Sequence, residues 1–183
     1  MSPTSFVRCS SCRSSSCCPP TASRRTGPRS SMRSLEREDW TARFQTLFES
    51  PSPAVLTTYR ADGSALVSPV WFRWADGALE VVVAEGDIKL RHLARDRRCI
   101  LVVFEAVPPF RGVEVRGVPE LVEGDVTAVR EAIAGRYLGI EAGKRFAGER
   151  RSHPGVVVRL DAGDPRVWDL SAMISPALPS LVD

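Results

Sequence analysis

The sequence predicts a mainly β (α+β) protein, built as an antiparallel barrel with a few appended helices. Three observations carry that expectation. Apolar and β-branched runs of strand length follow one another directly, at 54–60, 64–74 and 79–84. Two Asp-Gly pairs, Asp62-Gly63 and Asp76-Gly77, lie between them as tight turns. Helical periodicity interrupts the strands only three or four times, so the regular alternation that a doubly wound parallel sheet needs is missing.

The elements follow in order. Leu35, Trp40, Phe44, Leu47 and Phe48 recur at helical spacing and predict an amphipathic helix over about 36–49, stopped by Pro51 and Pro53. AVLTTYR (54–60) is a strand, SALVSPVWFRW (64–74) its hairpin partner, and 79–84 the third strand of a β-meander. Gly86-Asp87 breaks that strand, and Asp87 can cap a short helix at 88–95 with Leu90, Leu93 and Ala94 on one face. CILVVFEAV (99–107) is a core strand ended by Pro108-Pro109, with Cys99 a small core residue. FRGVEVRGVPELVE (110–123) reads as one longer strand, in which Gly112 and Gly117 permit bulges. Asp125 is the expected N-cap of a helix from Val126 to about Leu138, with Val126, Val129, Ile133 and Tyr137 facing inward. A more charged helical piece covers 141–150, and GVVVRLD and RVWDL close the chain's patterned part, for about seven strands in all. There is no internal repeat and no glycine-rich dinucleotide or P-loop signature.

Composition divides the chain into an extension (1–34), a folded domain (35–175) and a short tail (176–183). Residues 1–34 hold six arginines, eleven serines, four cysteines and no Asp or Glu. With few large apolar residues to offset chain entropy, that stretch is expected to be disordered. Its arginines are not followed by an apolar segment, which argues against an export signal. Cys9 and Cys12 fit half a zinc site, but the adjacent Cys17-Cys18 and the lack of a second ligand pair argue against a zinc module. Met32, just before the first patterned segment, is a candidate start of translation. Although the whole chain has a net charge of +3, residues 35–183 carry 19 basic against 22 acidic side chains. The domain therefore lacks the charge signature of nucleic-acid binding, and only the basic extension offers a route to a nucleic acid or an acidic partner. No apolar run reaches the ~20 residues needed to cross a bilayer. The expected location is cytoplasmic.

The helix at 88–95 poses the chemical question. Its first turns carry Lys89, Arg91 and His92, yet a helix N-terminus is already partially positive and disfavours cations. A bound anion, a phosphate above all, resolves the conflict; a solvated turn is the alternative.

In their order, AVLTTYRADGSALVSPVWFRW, GALEVVVAEGDIKLRHLARDRRCILVV, PPFRGVEVRGVPELVEGD, RYLG and VVVRL…RVWDL resemble the split-barrel flavin-binding superfamily typified by pyridoxamine 5′-phosphate oxidase. Within it they look most like the branch that uses the deazaflavin F420. The resemblance spans about 38–171 and implies an antiparallel split β-barrel of the FMN-binding type. It implies a ring-facing stretch at Ser68, Pro69, Val70 and Trp71, and a phosphate seat at Lys89 with Arg91 and His92. Val83 and Ala84 would neighbour the cofactor on the preceding strand, although Val82 and Val83 stand where family members commonly carry Ser or Thr. Phe110, Arg111 and Trp168 are further implied contacts, the last near a partner subunit's cofactor. Arg151, Arg159 or Arg166 could meet the acidic tail of F420. For Phe72 and Trp74, core or interface packing is the expected role.

The implied activity is hydride transfer between F420, or alternatively FMN, and a small organic substrate. The alternative within the same fold is a non-catalytic flavin, F420 or haem carrier. No Ser-His-Asp order, HExxH motif or carboxylate pair marks a catalytic side chain or a metal site. Members of the superfamily commonly pair, so a homodimer is implied, and the aromatic Trp71, Phe72 and Trp74 suit an apolar two-fold interface.

Overall fold

A computed structural model describes residues 40–174. The expected disorder of 1–34, the start at Met32, the cysteine cluster, the beginning of the 36–49 helix and the tail at 176–183 lie outside the described residues. Nine strands are present among the described residues, not seven. After helical residues 40–43 and helix α1 (Gln45–Glu49) come β1 (Ala54–Tyr59), β2 (Ala65–Val70), β3 (Arg73–Ala75) and β4 (Ala78–Ala84). Helix α2 (Ile88–Arg95) leads to β5 (Cys99–Phe104), β6 (Gly112–Gly117) and β7 (Glu120–Gly124). Helices α3 (Thr127–Leu138) and α4 (Ile140–Glu149) then precede β8 (Gly155–Asp161) and β9 (Arg166–Trp168).

The two extra strands correct two expectations. The run 64–74 is not one hairpin arm. β2 pairs with β1, while β3 pairs with β4 in a different sheet, so the chain changes sheets at Trp71-Phe72. Backbone groups at such a crossover leave both ladders and need other partners. They receive them from α3: the Phe72 N–H donates to Tyr137 Oη at 3.2 Å, and Arg136 Nη1 donates to the Phe72 carbonyl at 2.9 Å. The run 110–123 breaks likewise. Pro119 has no N–H to give to a ladder, and the chain passes there from β6 in one sheet to β7 in the other.

The result is a five-stranded sheet, β2-β1-β5-β6-β9, and a four-stranded sheet, β3-β4-β8-β7, with every pairing antiparallel. The core between them holds Leu56, Phe72, Leu79, Val81, Val83, Leu101, Val103, Val113, Val115, Val158 and Leu160, with Phe44, Leu47 and Phe48 from the N-terminal helical segment and Leu93 from α2. Trp74 packs at its margin, stacked on Phe48 at 4.5 Å. Phe72 and Trp74 thus take the expected packing roles. Cys99 is buried, and burial pushes its thiol up to about 12.

Two capping details differ from expectation. The α3 helix begins at Thr127, one residue late, while the Asp125 carboxylate still accepts the Thr127 N–H at 2.9 Å. Its inner face is Val126, Arg130, Ile133 and Ala134; Val129 and Tyr137 are only half-buried. Gly112 is not a bulge. It pairs with Trp168, whose indole lies over it so closely that an added Cβ would fall 2.0 Å from the ring.

Candidate functional site

The residues singled out in the sequence fall into three places. The first is a cleft of about 310 Å³ beside β4, whose walls include Val70, Trp71, Val82, Ala84, Ile133 and Phe146. Along β4, Val82 and Ala84 turn outward and line the cleft together with Val81, whereas Val83, 4% exposed and part of the core, does not line it. Trp71 comes from the sheet crossover and stacks flat on Tyr137, centroids 4.8 Å apart, with Phe146 tilted against it at 5.6 Å. Ser68 and Pro69 lie on β2, which forms one edge of the five-stranded sheet, the place where a residue without an N–H is tolerated.

Sequence reasoning missed part of this cleft. Arg130, Arg150 and His153 line it, and no carboxylate stands among its lining residues. Arg130 is itself committed: Nη1 donates to the Arg150 carbonyl at 2.7 Å and Nη2 to the His153 carbonyl at 2.8 Å, which fixes the 150–153 loop against α3. Arg150 lies over the Phe146 ring at 3.8 Å. A helical-periodicity signal was available, since Arg130 falls on the inner face of α3, but an inward arginine reads from sequence as a surface residue.

The second place is the first turn of α2, joined to β4 by the Glu85–Asp87 turn. Gly86 makes that turn possible at φ +79°, a conformation that side chains other than glycine seldom adopt. Asp87 caps the helix by accepting the Lys89 N–H at 2.9 Å. It also binds the Lys89 ammonium, with Nζ 2.9 Å from Oδ2 and 3.1 Å from Oδ1. Burial opposes ionisation of Asp87, but the Lys89 N–H and ammonium, helped by Arg91, hold the carboxyl below its usual range. Arg91 is exposed and makes no ion pair among the described residues. It lines a second cleft, about 580 Å³, with Asp87, Leu90, Glu123 and Gly155. His92 behaves differently: it is 7% exposed and turned toward β1, where Nδ1 and Thr58 Oγ1 share a hydrogen bond of 3.0 Å. It anchors the helix rather than facing the Arg91 cleft.

The third place is the β5–β6–β9 end. Phe110 is exposed with φ +57°, a left-handed conformation that costs a bulky residue about 1–2 kcal/mol. Arg111 forms a fork with Glu105, Nε lying 3.1 Å from Oε1, and reaches Thr46 Oγ1 at 3.3 Å. Trp168 covers Gly112 and lies under Arg166 at 5.5 Å. Arg159 is engaged with Glu80, and Arg166 sits 3.7 Å from Glu114, whereas Arg151 lines a cleft with Arg130 and His153.

No helix among the described residues is long and apolar enough to cross a membrane, and no cluster of three metal-binding side chains occurs among them. Comparison with solved structures finds the same fold at low identity. A conserved hypothetical protein from Mycobacterium tuberculosis is 24% identical, with a TM-score of 0.65 over 75% of this chain and 89% of that one. An F420 reductase is 23% identical (TM-score 0.54; 67% and 94% covered), and HutZ, the haem storage protein of Vibrio cholerae, 15% (TM-score 0.53; 69% and 92% covered). No curated protein matches the chain. The sequence model of the pyridoxamine 5′-phosphate oxidase family matches residues 40–169, so this chain belongs to that family and its two sheets are the family's split barrel.

Proposed function

We propose that this protein is an F420-dependent oxidoreductase, with FMN as the alternative cofactor, acting on a small organic substrate. One observation carries the reading. The wall of the acid-free cleft and the cationic turn are consecutive parts of the same chain segment: Val82 and Ala84 line the cleft, and Lys89 and Arg91 begin the helix that follows. A flat ring set against Val70, Trp71, Val82 and Ala84 would bring its anionic tether toward that turn, where Asp87 already answers the Lys89 ammonium and Arg91 is the cation left for an anion. The residues of the ring cleft fit such a group, an apolar and aromatic wall without carboxylates, and Arg91 follows in the same chain segment as the cation without an ion-pair partner.

When bound, the cofactor supplies hydride transfer, and the protein binds and orients it. Trp71, braced by Tyr137 and Phe146, holds one boundary of the ring site. His92, by bonding Thr58, holds α2 against β1. Support for F420 over FMN comes from the continuity of the clefts. The ring cleft shares Arg130 and His153 with an adjoining cleft that also contains Arg151, and that one shares Gly124 and Pro154 with the Arg91 cleft. Such a trough has room for a tail beyond the phosphate, with Arg150 and Arg151 at its ring-cleft end and the carboxylates of Glu85, Asp87, Glu123 and Asp125 along the rest.

A homodimer is part of the proposal. Phe104, Val107, Phe110 and Val167 leave an exposed apolar area at the β5–β6–β9 end, beside Trp168. A second reading, a haem or flavin carrier of the same fold, draws on the apolar Val82 where a hydroxyl would help hold a phosphate and on the similarity to a haem storage protein.

Separate titrations of purified protein with F420, FMN and haem test the proposal. Saturable F420 binding, with turnover of reduced F420 by a small acceptor, is the expected result. A Soret band with neither F420 nor FMN bound would overturn it in favour of the carrier.

A further inference from the structure

We infer that the small organic substrate is a monocarboxylic acid with an apolar body, its carboxylate held by Arg150 and His153; this rests on the reading of the cleft beside β4 as the ring site. The wall assigned to the ring, Val70, Trp71, Val82 and Ala84, comes from β2, the sheet crossover and β4. The remaining lining comes from the helices and the loop behind them. Ile133 of α3 and Phe146 of α4 are apolar, and Arg150 and His153 follow in the loop after α4. No carboxylate lines this cleft, so its ionisable groups are Arg130, Arg150 and His153.

Arg130 underlies that end of the cleft. It is 8% exposed, forms no ion pair among the described residues, and donates to the carbonyls of Arg150 and His153. A guanidinium largely withdrawn from water without a carboxylate partner is stabilised by a nearby anion. The same two bonds fix the backbone of the residues that face the anion. Arg150 Nη1 reaches only the Phe146 carbonyl at 3.5 Å and the exposed Glu149 carboxylate at 3.7 Å. The His153 ring has no hydrogen-bond partner among the described residues and can donate in either protonation state. Arg130 and Arg150 against Glu149 leave one net positive charge. The adjoining cleft, about 440 Å³, shares Arg130 and His153 and adds Arg151 and Asp125, which cancel. It also gives the acid room that a cleft of about 310 Å³ holding a ring does not. One positive charge beside an apolar wall matches one carboxylate on an apolar body, and not a dianion.

The test uses the full-length protein loaded with F420 or FMN, and two probes of nearly the same shape, trans-cinnamate and trans-cinnamamide. Both are titrated into the wild type, Arg150→Gln and His153→Gln, with melting temperatures as the control for folding. The wild type is expected to bind the acid about 10-fold more tightly than the amide, a preference that shrinks in high salt. Arg150→Gln should bring the two within about 3-fold by weakening the acid alone, and His153→Gln should act in the same direction by less. Equal affinity for acid and amide in the wild type, or binding of neither, overturns the inference while bound cofactor leaves the ring site standing. If neither F420 nor FMN binds, the reading of the cleft falls and the inference with it. If Arg150→Gln weakens F420 but not FMN and leaves the preference for the acid intact, the cation serves the acidic tail of F420, and the inference is again overturned.

Discussion

Two clusters in this molecule have the same charges and opposite fates. Glu80 stands between Arg73 and Arg159, and Asp87 between Lys89 and Arg91; each is one carboxylate with two cations. In the first, Arg73 Nε donates to Glu80 at 2.7 Å and Arg159 binds the same carboxylate, so three strands (β3, β4 and β8) are tied together. Arg159 also donates to the Asp76 carbonyl at 3.2 Å, and Glu80 is 6% exposed. In the second, every member comes from one helical turn, a single cation is bound, and Arg91 stays open beside a cleft. Charge that is spent across strands holds the sheet. Charge gathered within one turn leaves one cation over, and on the proposed reading that cation serves a ligand. The partner geometry, and not the residue types, separates the structural network from the candidate binding turn.

The comparison breaks or sharpens at measurable points. The largest effect belongs to the closed cluster: Glu80→Ala leaves two half-buried guanidinium groups without their counter-ion and should cost about 3 kcal/mol by urea unfolding. A cost below that of Asp87→Asn would erase the distinction. Arg136→Gln comes next. Besides the Phe72 carbonyl it binds the Tyr137 hydroxyl at 2.8 Å and the Ser50 carbonyl, so losing it unties the sheet crossover, for about 2 kcal/mol.

A smaller effect concerns acid. The Arg111 side-chain hydrogen bonds hold the Glu105 carboxyl below its ordinary value of 4.5, against the opposing pull of burial. A carboxyl whose pKa is depressed in the folded state contributes stability above its unfolded pKa, and that stability is lost as the pH falls through the folded value. Stability should therefore drop below about pH 4.5 by up to about 1 kcal/mol more in the wild type than in Glu105→Gln, read from thermal melts. The smallest is Arg91→Ala. It should leave stability unchanged and weaken cofactor binding by about 1 kcal/mol, with the difference shrinking in high salt.

How far this was legible in the sequence differs between the same kinds of region. Strand identity, the α2 helix with its Asp87 cap and the antiparallel class follow from local patterning and turn residues. The sheet change at Trp71-Phe72 does not, because an apolar run through a crossover looks like one strand; what marks it is Arg136 and Tyr137, some sixty residues away. The cations of α2 were visible, but their directions were not. His92 is adjacent to Leu93 and turns inward with it, while Lys89 folds back onto its own cap. Arg130 and His153 entered the candidate cleft only through tertiary packing of α3 on β4.

The central claim is that the turn at the start of α2 seats the anionic tether of a redox ring. Calorimetric titration of F420 into the wild type and Lys89→Ala tests it most directly. The account predicts affinity weakened about 10- to 100-fold with an unchanged melting temperature; equal affinity in the two proteins contradicts it.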